Sequence, residues 1–263
     1  MPNTMLPIDT LKGQVAIITG GGTGIGFGIA SELALLGAKV VLASRNPDHL
    51  SEAESRLTTQ GCEVLAIPTD VRQPEAVDNL FDRTLEAFGQ VDILVNAAAG
   101  NFIVDSEKLS VNGWNSVVQS VLHGTFYCAR RAGMAMISSG RGGRILSVVA
   151  SYAWTGGPRT VHSVAAKAGV VALTRSLAVE WAPHRIRVNA ICPGPTDTEG
   201  ARPLWQDPED RARTLAKVPV GRFGTVQEVA QASAYLVSPY ADFINGEVLV
   251  IDGGEWLGKG LTS

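Results

Sequence analysis

The chain has 263 residues, 45% hydrophobic and 18% charged, with 29 glycines and a formal net charge of −3. That length suits one large α/β domain, and a slightly acidic chain without a Lys/Arg run offers no nucleic-acid-binding surface. No apolar run approaches the roughly 18 residues of a membrane-spanning helix. Cys62, Cys128 and Cys192 are odd in number and widely spaced, so they form neither a disulfide framework nor a metal pattern. His49, His123, His162 and His184 have no ligand spacing, and no metal site is expected. Residues 1–10 lack a secretory signal, and residues 261–263 do not match the Ser-Lys-Leu peroxisomal address. A cytoplasmic location with reduced thiols is expected.

In chain order, residues 15–18 read as a buried strand and run into Thr19-Gly20-Gly21-Gly22-Thr23-Gly24-Ile25-Gly26. Residues 25–36 then take helical spacing. Glycines let a backbone turn sharply and approach a pyrophosphate, and a helix N-terminus favours the anion. The strand–loop–helix order separates this stretch from a plain glycine-rich turn. The second strand, 39–43, ends in Ser44-Arg45-Asn46. An NAD-preferring site places a carboxylate there for the ribose 2′-hydroxyl, and none is present. Ser44 can donate a hydrogen bond and Arg45 can pair with a 2′-phosphate, so NADPH is expected. A solvated surface arginine is the alternative reading.

The third strand, 63–67, precedes Asp70-Val71, and 74–88 is helical. The fourth, 92–95, precedes Asn96-Ala97-Ala98-Ala99-Gly100 and then Asn101-Phe102. The fifth, 144–148, is followed by Ala150, Ser151 and Tyr152, and Ser163 stands four residues before Lys167. The sixth, 187–191, precedes Pro193-Gly194-Pro195-Thr196, and the seventh, 248–251, precedes Asp252-Gly253-Gly254. Seven strands alternating with helices imply a parallel sheet covered on both faces. One stretch breaks the rhythm: 197–218, rich in Pro, Arg, Asp and Glu, is a candidate lid within an otherwise single domain.

Together these motifs resemble the short-chain dehydrogenase/reductase family over almost the whole chain. The resemblance implies a Rossmann-like, doubly wound sheet. It implies nucleotide contacts from Gly20, Thr23, Gly24 and Ile25, from Asp70 and Val71, and from Asn96 and Ala97. Pro193, Gly194 and Thr196 would flank the nicotinamide, and Lys167 would bind its ribose. The family's usual acid is a Tyr in Tyr-x-x-x-Lys; here that position is Ser163. The usual Ser falls at Ala150 and the helix Asn near Val121. General acid–base catalysis contributes roughly 10²–10⁴-fold, so an ordinary ketone reductase would be crippled.

One branch resembles this pattern closely, the NADPH-dependent 2,4-dienoyl-CoA reductases. They carry Ser-x-x-x-Lys, a Tyr after the fifth strand and an Asn after the fourth-strand turn, matched here by Ser163, Lys167, Tyr152 and Asn101. That resemblance implies an acyl-CoA substrate, a role in fatty acid β-oxidation and a homotetramer. Arg202, Arg211, Arg213 and Lys217 of the lid would meet CoA phosphates or form a solvated face. A different oxidoreductase using Tyr152 as a displaced acid, and a catalytically silent NADP-binding protein, remain the competing readings.

Overall fold

Strand β1 (Val15–Thr19) is buried along its whole length, which places it inside a sheet covered on both faces. The computed structural model describes residues 5–202 and 207–257. The 261–263 sequence and part of the candidate lid lie outside the described residues. Strand β1 pairs in parallel with β2 (Lys39–Ser44) and with β4 (Ile93–Asn96). With β3 (Val64–Pro68), β5 (Gly143–Val148), β6 (Ile186–Pro193) and β7 (Val248–Ile251), the strand order is β3-β2-β1-β4-β5-β6-β7. Every neighbouring pair is parallel. The expected doubly wound α/β sheet is therefore present. Its winding reverses between β1 and β4, and ligands of such sheets bind at the strand C-terminal ends beside that point.

Side-chain alternation divides the core in two. Ala16, Ile18, Val40 and Leu42 pack with α1 (Gly24–Leu35), α2 (Pro47–Thr59) and α9 (Val226–Val237). Val15, Ile17 and Val41 pack on the opposite face with α3 (Pro74–Phe88), α5 (Gly124–Ser139) and α7 (Val161–Trp181). Helix α4 (Val111–Val118) runs into α5 through one π-helical turn, Gln119–His123. Two shorter helices complete the chain, α6 (Tyr152–Thr155) and α8 (Pro208–Leu215), the latter inside the candidate lid.

Between α1 and α9 lies a buried acid. Glu32 is 2% exposed; its Oε2 accepts from Gln227 Nε2 at 2.7 Å, and its Oε1 has no hydrogen-bond partner. Burial raises the carboxyl pKa above 4.5, with the Gln227 hydrogen bond opposing. A carboxyl raised on folding adds stability below its unfolded pKa, and that stability is lost as pH rises through the folded value. Glu32→Gln should therefore raise the melting temperature at neutral pH, and the gain should shrink as pH falls towards 4.5. A gain that is constant across that pH range, or absent at neutral pH, would contradict the burial argument.

Candidate active site

The glycine loop and the ends of β2, β3 and β4 enclose a cavity of about 470 Å³. Gly20, Thr23, Gly24 and Ile25 line it, as do Ser44, Arg45, Asp70, Val71 and Ala97. Gly20 has φ +69°, and a Cβ there would sit 2.8 Å from the Ala97 carbonyl oxygen. A Cβ on Gly26 would lie 2.1 Å from the Gly20 carbonyl oxygen. Both positions need glycine, so backbone fills the cradle where a side chain would block a phosphate. Thr23 precedes α1 without capping it by its side chain, and the first turn carries no acid, so the free N–H groups remain for an anion. Arg45 is exposed at the cavity and makes no ion pair among the described residues. Asp70 is held below the usual carboxylate range, first by the Arg72 side chain, which contacts it at 2.5–2.9 Å, and also by the charge of Arg45.

Thr19 fixes the far wall, which Ala97, Ala98 and Ala99 form. Its hydroxyl accepts from the Ala97 and Ala98 amides at 3.2 Å, fixing the turn after β4. Asn96 lies behind that turn, 4% exposed, with Oδ1 unpartnered and Nδ2 donating to Ser147 Oγ at 3.5 Å. An orphaned buried acceptor beside a glycine cradle fits a site completed by a polar ligand. Pro193, Gly194 and Thr196 do not line this cavity. Thr196 is buried, with its hydroxyl donating to the Gly194 carbonyl at 3.0 Å. Sequence reasoning passed over His49, Thr69, Ser120, Val148 and Thr198, all of which line the cavity. Ser120 lies on the π-helical turn, and its neighbour Val121 is 1% exposed in the core.

The chemical end begins at Val148, the last residue of β5. Lys167 is 7% exposed, and its Nζ donates to the Val148 carbonyl oxygen at 2.5 Å. Burial lowers its pKa from 10.5 to about 8, with the nearby Cys192 thiol opposing. One turn earlier on α7, Ser163 is 1% exposed. Its Oγ lies 2.9 Å from the Tyr152 hydroxyl, close enough for either group to donate. Burial raises the Tyr152 pKa above 10.0; the Ser163 hydrogen bond opposes this and Cys192 adds to it. Tyr152 therefore stays a neutral donor at neutral pH.

Tyr152 opens α6, which is only four residues long. The chain beyond β7 folds back onto that helix. Glu255 accepts from Ser151 Oγ at 3.5 Å, and Trp256 packs edge-on against Trp154 with ring centroids 5.8 Å apart. Asn101 lies on the exposed loop after β4. Its Oδ1 accepts from the Phe102 amide at 2.9 Å. The structure thus joins Tyr152 directly to Ser163, with Lys167 one turn further along α7 on the Val148 carbonyl.

Residues 20–255 match the family model described as enoyl-(acyl carrier protein) reductase, a span holding the glycine loop, Tyr152, Ser163 and Lys167. The chain belongs to the short-chain dehydrogenase/reductase family. It is an oxidoreductase of that family, whose members use NAD(P)H. A Bacillus subtilis relative named a probable 2,4-dienoyl-CoA reductase, (2E)-enoyl-CoA-producing, is 44% identical over 249 residues, 94% of this chain and 98% of the relative. A peroxisomal 2,4-dienoyl-CoA reductase of Danio rerio, (3E)-enoyl-CoA-producing, is 43% identical over 95% of this chain and 83% of its own length. An Agrobacterium tumefaciens dehydrogenase structure with bound NADP superposes with a TM-score of 0.88 at 34% identity, covering 96% of this chain and 99% of that one. No helix among the described residues of this short-chain enzyme is long and apolar enough to cross a membrane.

Proposed function

We propose that this enzyme reduces 2,4-dienoyl thioesters of coenzyme A with NADPH. The contact between Tyr152 and Ser163 carries the reading: a phenol from the end of β5 replaces the one missing from α7. The names of the Bacillus subtilis and Danio rerio relatives support the substrate class. Gly20, Thr23, Gly24, Ile25, Asp70, Val71, Asn96 and Ala97 would hold the nucleotide, Ser44 and Arg45 its 2′-phosphate, and Lys167 with Pro193, Gly194 and Thr196 its nicotinamide end. Bound there, NADPH supplies a hydride to C5 of the dienoyl group.

Negative charge then gathers on the thioester oxygen. Tyr152 Oη–H and Asn101 Nδ2–H donate to that oxygen, and both bonds strengthen as the dienolate forms. Ser163 orients the phenol, and Lys167 sets positive charge behind it. A proton from Tyr152 or water completes the reduction on carbon. Protonation at C2 gives the (3E)-enoyl product, which we assign; protonation at C4 would give the (2E) product in the Bacillus subtilis relative's name. Residues 197–218 would close over the acyl-CoA as a lid, although Arg202 and Arg213 already pair with Asp197 and Asp210, and Arg211 lies over the Phe223 ring.

The deciding experiment is NADPH oxidation with hexadienoyl-CoA beside a panel of ketones, with the product formed in D₂O analysed by NMR. Deuterium at C2 supports the assigned product, and deuterium at C4 replaces it with the (2E) isomer. Turnover of ketones alone would reject the dienoyl reading, and no turnover at all would leave the silent nucleotide-binding reading. Cofactor choice has its own test. Arg45→Ala should weaken NADPH binding at least tenfold more than NADH binding, because only NADPH offers a phosphate to the guanidinium. Equal weakening in a fluorescence titration would remove Arg45 from that role.

A further inference from the structure

His162 stands between two residues that the proposed reaction uses without taking part in it. Its side chain is 0% exposed, and neither ring nitrogen has a hydrogen-bond partner. Its ring packs on Phe102, with centroids 4.4 Å apart and planes 31° from parallel. His162 directly precedes Ser163 on α7, and Phe102 directly follows Asn101 on the loop after β4. Two further ties join the same segments. The Val104 amide donates to the Arg159 carbonyl at 3.0 Å, and the Arg159 guanidinium meets Asp105 at 3.1 Å. Arg159 holds φ +65°, a left-handed conformation that a side-chain-bearing residue seldom adopts.

A strained arginine and a fully buried imidazole are both unfavourable by themselves. They share one joint, the docking of loop 101–105 onto the start of α7. Strain of this kind persists where the surroundings over-determine it, and here the surroundings are the two loop segments flanking Tyr152 and Asn101.

We infer that His162 is a positioning residue: its ring clamps Phe102 and so fixes the Asn101 loop against the helix that carries Ser163. The inference rests on the proposed role of Asn101 as an oxyanion donor. Among the described residues the Asn101 side chain is held by its Oδ1, which accepts from the Phe102 amide, so moving Phe102 moves the donor with it. Oxyanion donors act through placement, and small displacements of a catalytic group are costly to rate.

Three variants test this, His162→Ala, His162→Phe and His162→Ala with Asn101→Ala, each first confirmed as folded by its melting curve. His162→Ala should lower kcat for hexadienoyl-CoA about tenfold or more with NADPH affinity unchanged. His162→Phe keeps an aromatic face and should restore most of that loss. In the Asn101→Ala background, His162→Ala should cost little more, because both residues act through one group. Parental kcat in His162→Ala, failure of His162→Phe to rescue, or additive losses in the double variant would each overturn the inference. Hydrogen exchange supplies a readout that needs no substrate: the Val104 amide should exchange faster in His162→Ala than in the parent and slow again in His162→Phe. A parent inactive on hexadienoyl-CoA would sink the dienoyl reading, and the exchange rates alone would then decide the clamp. Unchanged Val104 exchange in His162→Ala rejects it.

Discussion

Replacing Tyr152 with Phe should lower kcat for hexadienoyl-CoA by about 10²-fold or more, and Asn101→Ala should do the same. The hydroxyl removed from Tyr152 is the one that contacts Ser163, so the substitution leaves the ring in place and takes away a single donor. Burial keeps that phenol neutral, and a neutral donor gains most when the acceptor turns into an anion. The interaction is therefore stronger in the transition state than in the bound substrate, and kcat should fall much more than KM rises. NADPH affinity should change little, since neither Tyr152 nor Asn101 lines the nucleotide cavity. The double variant should lose less than the product of the single losses, because both donors serve one charge. Stopped-flow measurement of hydride transfer gives these values. Near-parental rates in both single variants would show that the thioester oxygen is held by other groups.

Lys167→Met is expected to pull activity and stability in opposite directions. Lys167 is enclosed between Val148 and the Cys192 thiol, and burial takes its pKa from 10.5 to about 8. A lysine lowered on folding destabilises the native state below its folded pKa, because the buried group must carry charge there. Between about 8 and 10.5 the unfolded chain binds more protons than the native one, and stability rises with pH. Methionine has no such dependence. Losing the hydrogen bond to Val148 costs about the same at every pH, so it shifts the comparison without bending it. Denaturant titrations without nucleotide should therefore show the parent gaining on the variant across that interval, by about 1–3 kcal/mol. A constant difference would mean that Lys167 titrates normally in the folded chain. Activity should fall by about 10²-fold or more, since the proposed positive charge and ribose contact would be lost.

The fold was readable because its signals are local. Apolar runs such as 15–18 and 93–95 are fully buried in the middle of the sheet, and Gly20 and Gly26 stand where a Cβ would strike backbone. The strand limits moved by a residue or two, as the end of β6 at Pro193 illustrates. Tyr152 after the fifth strand and Ser163 on the helix were both singled out in the sequence by resemblance, and the structure places their hydroxyls 2.9 Å apart. What the sequence withheld is the product of three-dimensional proximity. Nothing in Gln119–His123 signals a π-helical turn, so Ser120 could not be assigned to the cavity wall. Thr198 reaches the cavity at the glycine loop from a segment far along the chain. His162 looked like an ordinary core histidine, since neither its contact with Phe102 nor the orphaning of its nitrogens follows from spacing. In 197–218, composition announced an unusual connection but not α8, whose start rests on Asp207 accepting from the Glu209 amide.

The brevity of α6 ties the candidate site to both ends of the chain. Four residues cannot nucleate a helix, so Tyr152 takes its place only when other parts of the molecule impose it. One support is Glu255, which reaches Ser151 across 104 positions of sequence, and another is Trp256 on Trp154. Both follow β7, the edge strand that pairs with β6 alone. The glycine cradle is built from the first strands, whereas the place of Tyr152 depends on residues after the last one, so the two parts of the candidate site draw on opposite ends of the chain.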